Sequence, residues 1–171
     1  MAVMGHWITI DFKERTHIMT EVKHSLVKDY MTVRAARIRH NSNIQHAAEI
    51  VAQSGVSDLM VVDDDGNFCG VLSEGDILRT ALPDIDEILD EGGTLDDAFE
   101  IFMRKGKELS ELPITPLIIE EPLIVDPEDH VAKAATVLLN RQIRLLPVVQ
   151  ESKLMGTISR ADVCRAVVGT L

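Results

Sequence analysis

A chain of 171 residues with a formal net charge of −11 is repelled by a phosphate backbone, and no run or stripe of Lys and Arg reverses that locally, which argues against nucleic-acid binding. Apolar residues make up 46% and aromatics only 4%, so the core is Val, Ile, Leu and Ala, and no apolar run approaches the roughly 18 residues a membrane span needs. Cys69 and Cys164 lack Cys-x-x-Cys spacing and read as reduced, buried thiols, and residues 1–15 have no basic segment ahead of an apolar one. A cytoplasmic protein without a signal peptide or membrane anchor is expected.

From the N-terminus, Trp7-Ile8-Thr9-Ile10-Asp11-Phe12 alternates weakly and fits either an edge strand or a tail ordered by a partner. After a lead at residues 21–30, Ala36-Arg37-Ile38 reads as a strand. Ile44, Ala47, Ala48 and Val51 then fall three and four apart, the spacing of a helix with one buried face. The stretch 56–63 ends in a β-branched run that reads as a buried strand, and Asp64-Asp65-Gly66-Asn67 as a tight turn. Gly70-Val71-Leu72 follows as a turn glycine and a strand end. Ser73-Glu74-Gly75-Asp76 before Ile77-Leu78 is a helix start, with serine as cap and an acid at the third position.

Residues 83–107 differ in character. Residues 84–89 suggest a short helix stopped by Gly92-Gly93. Thr94 caps a second helix with Leu95, Ala98, Phe99, Phe102 and Met103 on one face, acids early, Arg104 and Lys105 late, and Gly106 as its stop. Such a helix either covers an exposed edge of the core or serves as a dimer contact or a lid.

The pattern of 36–82 then returns. Leu123-Ile124-Val125 supplies a strand, and Val131, Ala134, Ala135 and Leu138 repeat the helix positions. Residues 143–150 repeat the buried strand, and Gly156-Thr157-Ile158-Ser159-Arg160-Ala161-Asp162 repeats the strand-into-helix joint. The second copy is one residue shorter, in Glu151-Ser152-Lys153 against 64–67, where a hairpin tolerates a deletion. Units of about 55 residues bury too little surface alone, so the two should pack on each other.

The two Gly-x-x-Ser-x-x-Asp joints, Leu146-Pro147-Val148-Val149 and Asp126-Pro127-Glu128-Asp129 resemble the motifs of a tandem pair of cystathionine-β-synthase (CBS) domains, a Bateman module. The first copy departs from that pattern, with Leu59-Met60 where Leu-Pro is usual. The resemblance implies an α/β fold of two βαββα repeats related by a pseudo-twofold axis, with a helical insertion between them. The expected boundaries are an N-terminal extension at 1–27, repeats at 28–82 and 109–171, and the insertion at 83–108. It also implies a flat, disk-like homodimer, and clefts lined by both repeats.

Two readings fit the Ser73/Asp76 and Ser159/Asp162 pairs. Each is complete as a helix cap, contributing about 0.5–2 kcal/mol; each acid can also accept the hydroxyls of a ribose beside the free amides of a helix start. In CBS pairs this aspartate commonly holds the ribose of an adenosine ligand. The cleft at Asp162 is the expected better site, because Glu74 sets a negative charge where a phosphate would lie at the first joint. Arg160 and Arg144 belong to the second joint, while Arg37 and Arg39 flank the first strand and could serve either cleft. Val56, Leu59, Ile143 and Leu145 fit an apolar slot for a purine or simply core packing.

The histidines show no ligand spacing, so no metal is expected. No phosphate-cradling Gly-x-x-x-x-Gly-Lys, nucleophile elbow or Ser/His or Cys/His arrangement supports catalysis. The resemblance implies a sensing module that binds AMP, ADP, ATP or S-adenosylmethionine between its repeats and is read by an effector protein on another chain. A structural module with vacant clefts, or one binding a non-adenosine ligand or a divalent ion, stays open.

Overall fold

The computed structural model describes residues 25–169; the alternating 7–12 stretch lies outside them, as does all but 25–27 of the expected N-terminal extension. A short helix α1 (Val27–Tyr30) precedes strand β1 (Arg37–Arg39), helix α2 (Ile44–Ser54), and the hairpin β2 (Asp58–Val62) and β3 (Phe68–Ser73), which runs into α3 (Glu74–Ala81). The insertion is α4 (Ile85–Glu91) and α5 (Leu95–Leu109). After a 3-10 turn (Thr115–Leu117), the second unit supplies α6 (Val131–Asn140), the hairpin β4 (Leu145–Gln150) and β5 (Lys153–Ser159), and α7 (Arg160–Val168). The structure is α/β in composition and repeats itself as the sequence does.

In the first sheet β1 pairs parallel with β2, and β2 antiparallel with β3, in the order β1-β2-β3. The second sheet holds only β4 and β5. The strand expected at 123–125 is reduced to one parallel bridge, Val125 to Val148, made by Val125 N–H to the Pro147 carbonyl (3.0 Å) and Val149 N–H to the Val125 carbonyl (2.9 Å). Pro122 and Pro127 bracket this segment, and each lacks the N–H that a longer ladder would use. Each hairpin shifts register at the equivalent place, Val61/Val62 and Val148/Val149.

Two apolar cores follow the repeat, and each takes a piece from the other half. Val27 and its helix belong to the second core, beside Val131, Leu138, Leu146 and Ile158. Ile114, just ahead of the second unit, is fully buried in the first core with Leu59, Val61 and Leu72. The backbone confirms the exchange: Thr32 pairs with Thr157 on β5, and Ile119 with Val71 on β3. The expected boundaries at 28 and 109 therefore divide the sequence but not the packing. A third cluster of Met60, Val62, Val71, Val149 and Leu154 joins the two sheets. Their turns also touch, Phe68 N–H donating to the Ser152 carbonyl (2.8 Å).

Four local expectations need correction. Of the two thiols expected to be buried, Cys69 is half-buried and Cys164 is exposed on α7. Gly70 and Gly156 are not turn glycines: each sits within a strand where the exchanged segment crosses it. A Cβ at Gly156 would lie 2.5 Å from the Thr32 carbonyl oxygen, and one at Gly70 would strike the Ile119 carbonyl. Gly106 does not stop α5, which continues to Leu109. A helix-interior glycine costs about 1 kcal/mol, and packing Leu109 against the first core offsets it. Finally, α5 buries Ile101, with Phe102 and Leu109 partly covered, while Leu95, Phe99 and Met103 face outward. No helix among the described residues is long and apolar enough to cross a membrane.

Candidate ligand cleft

The two strand-into-helix joints begin alike. Glu74 N–H donates to the Ser57 carbonyl (2.9 Å), and Arg160 N–H donates to the Arg144 carbonyl (3.2 Å). They then diverge. At the second joint the serine and acid close on each other: Asp162 Oδ2 accepts from Ser159 N–H (2.9 Å) and from Ser159 Oγ (2.7 Å), and Ser159 Oγ accepts from Asp162 N–H (3.2 Å). Arg165 takes the other oxygen at 3.3 Å, and only 12% of the Asp162 side chain remains exposed. At the first joint Ser73 Oγ accepts instead from Gly75 N–H (3.1 Å). Asp76 is left out of the cap. Its carboxylate, 26% exposed, pairs with Arg79 one turn on.

A cavity of about 510 Å3 opens at this first joint, between the halves. One side is Ser57, Asp58, Ser73, Glu74, Gly75 and Arg79 of the first unit; the other is Ile143, Arg144 and Leu145 of the second. Val71, Ile119 and Leu123 add apolar wall. A second hollow of about 440 Å3 lies along Asp76, Thr80 and residues 116–119, and shares Arg79 and Ile119 with the first. Together they flank the start of α3, with the Asp76–Arg79 pair between them.

Charge in the cleft is mixed. Asp58, Glu74 and Arg79 line the first unit's side of the cavity and Arg144 the second's. Burial pushes the Asp58 carboxyl above its ordinary range; Arg144 pulls it back, and Glu74 and Asp76 push it further up. Arg144 reaches from the second unit to within 3.5 Å of Ser57 Oγ, so it spans the gap between the halves.

Of the expected site residues, Ser73, Ile143 and Arg144 line the larger cavity, and Asp76 lines the smaller one. Ser159 and Asp162 are engaged in their own cap. The Arg160 guanidinium is spent on backbone, donating to the carbonyls of Ile143 (2.9 Å) and Leu138 (3.1 Å). Arg39 pairs with Asp64 on the surface, Arg37 is exposed, and Val56 packs on the first core. Leu59 is fully buried, whereas Leu145 lines the cavity. Sequence reasoning missed Asp58, Arg79 and Ile119. Arg79 was within reach, since an acid and an arginine three apart share a helix face; Ile119 was not, because only the exchange of segments brings it there.

The cavity combines apolar wall with groups of both charges. The volume falls within the roughly 300–1,000 Å3 of small-molecule sites. Its walls are apolar at Val71, Ile119, Ile143 and Leu145; a carboxylate stands at the helix start, and guanidinium groups approach from both units.

The family model of the CBS domain matches this chain twice, at residues 27–82 and 115–169. A chloroplastic CBS domain-containing protein of Arabidopsis thaliana, CBSX1, is 28% identical over 140 residues, or 75% of this chain and 57% of its own length, so this chain spans little more than half of that relative. The crystal structure of CBSX2 in complex with AMP superposes with a TM-score of 0.64 at 26% identity, covering 85% of this chain and 97% of that one. A CBS domain-containing protein from Bacillus anthracis shares the fold at a TM-score of 0.71 and 18% identity, covering 90% and 99%. With both repeats matched, and the duplicated joint and paired cores in the structure, this chain belongs to the CBS domain family as a tandem pair.

Proposed function

We propose that this chain is a regulatory module that binds an adenine nucleotide, with AMP the best fit, in the cleft at the Ser73 joint, and that it does no chemistry on the ligand. The observation that carries this reading is the 510 Å3 cavity walled by both repeats, with Arg144 opposite the Ser73 joint and the Asp76 carboxylate on the adjoining smaller hollow. CBSX2, a structural neighbour of this chain, is solved in complex with AMP. Purine would lie among Ile119, Ile143 and Leu145, ribose on Asp76, and phosphate against Arg79 and Arg144. The occupied joint is then the first, and not the Asp162 joint that charge alone favours, because Asp162 already satisfies its own helix cap.

Signalling follows from the position of Arg144. A ligand held by Asp76 and Arg79 on one side and Arg144 on the other links the repeats, and it shifts their arrangement by its differential affinity for the two states. An effector on another chain, and a homodimer as the unit that presents the change, complete the reading. A second reading rests on Asp58 and Glu74: two carboxylates in the cleft disfavour polyphosphates and suit a cationic adenosyl compound such as S-adenosylmethionine.

Thermal melting with each candidate tests both. A ligand at 100 times its Kd adds about 2.7 kcal/mol of stability, or roughly 5–10 °C for a chain of this size. AMP is expected to give that shift, with Asp76→Asn and Arg144→Ala abolishing it and Asp162→Asn keeping it. A shift with S-adenosylmethionine and none with AMP selects the second reading. No shift with either, on protein refolded from denaturant to strip carried-over ligand, defeats both.

A further inference from the structure

The Asp76–Arg79 pair stands where the two hollows at the start of α3 meet. Arg79 lines both of them, and Asp76 lines the smaller. The guanidinium is folded back along the helix towards its N-terminus: a Cβ added at Gly75 would lie 3.5 and 3.6 Å from its two terminal nitrogens. Long helical side chains lean that way, but a cation so near the start of a helix meets the positive end of the helix dipole. Asp76 is the only partner this guanidinium has among the described residues, and 69% of the Arg79 side chain is exposed.

At the second joint the equivalent arginine is pinned. Arg165, also three residues past its aspartate, approaches Asp162 at 3.3 Å and donates to the Tyr30 carbonyl of α1 at 2.8 Å. The other oxygen of Asp162 is filled by Ser159. Arg79 has no such backbone anchor, and Ser73 leaves Asp76 alone by accepting from Gly75. The first pair can therefore part at the cost of one exposed ion pair, worth about two- to fivefold in an equilibrium.

We propose that this pair is a latch tripped by the ligand itself, so that the cleft selects compounds carrying a vicinal diol and an anionic group together. This rests on the reading that a nucleotide occupies the cleft. With the latch shut, one Asp76 oxygen is committed to Arg79, and a diol reaches only the other. An anionic group in the larger cavity draws the guanidinium off, helped by the helix start beside it. Both carboxylate oxygens are then released to the two hydroxyls. A nucleoside brings the diol without the anion and must open the latch unaided. Inorganic phosphate brings the anion without the diol. Arg79 is thus a specificity-determining residue whose effect on the sugar is opposite in sign to its effect on the phosphate.

Titration calorimetry of the full chain with AMP, adenosine and 2′-deoxyadenosine reads the proposal. Arg79→Met keeps an unbranched stem and a good helix former, and it should retain the circular dichroism spectrum. It should weaken AMP by about tenfold or more, because a charge-assisted phosphate contact is lost. The same change should tighten adenosine by about two- to fivefold, because Asp76 is released. 2′-Deoxyadenosine has no diol and should gain nothing, and adding Asp76→Asn to Arg79→Met should erase the adenosine gain. Adenosine bound no more tightly by Arg79→Met than by wild type would make Arg79 a plain phosphate contact and overturn the latch. An equal gain for 2′-deoxyadenosine would overturn it as well. A wild type that binds no AMP would defeat the occupancy of the cleft itself, and the latch with it.

Discussion

Asp76 and Asp162 occupy the same place in two copies of one motif, and each has an arginine three residues on. Only one is locked into its serine cap. At the second joint Arg160 anchors the helix start on two carbonyls, while Glu74 at the first has no donor to offer and turns into the cavity beside Asp58. The cost of those acids is testable. Because burial raises the folded-state carboxyl of Asp58, its contribution to stability is greatest below the ordinary carboxylate range, about 3.9 for aspartate, and is lost as pH rises through the raised value. Asp58→Asn should melt higher than wild type at neutral pH, with the difference closing as pH falls through the carboxylate range. The same change removes a negative charge from the cleft and should tighten AMP, measured by titration calorimetry; weaker binding would count against the phosphate lying near Asp58.

Strands and helices were legible where a period or a cap announced them. The apolar spacing of 44–51 and 131–138, the Thr94 and Ser159 caps, and the late turn deletion all appear in the structure as the residues suggest. The outward turn of α5 was not legible. Leu95, Phe99 and Met103 have the same apolar period as a buried face, and only the position of the first repeat decides which side is covered. The roles of Gly70 and Gly156 were also hidden, since a strand glycine looks like a turn glycine until the segment crossing it is known. An added methyl at either position forces neighbouring backbone apart. Gly156→Ala should cost about 1–3 kcal/mol, as overpacking does. Gly70→Ala should cost more, because its φ of +151° strains any side chain as well. Urea denaturation at equilibrium measures both, and a change below experimental error at Gly70 would contradict the crossing described at Ile119.

At the scale of the whole molecule, duplication was plain in the sequence, but its consequence for packing was not. Each lead segment precedes one repeat and is buried in the other, so Ile114 stabilises a core whose remaining strands lie forty or more residues earlier. Ile114→Ala should cost about 2–5 kcal/mol. Its effect should appear in hydrogen exchange as lost protection at the β2 amides, and not first in the second repeat; the opposite order would mean the halves do not share segments this way. Such sharing also decides how the module can be moved between proteins. A graft cut at the edge of one repeat would carry away its neighbour's buried segment and leave its own behind, so the smallest transplantable piece is the whole interlocked pair.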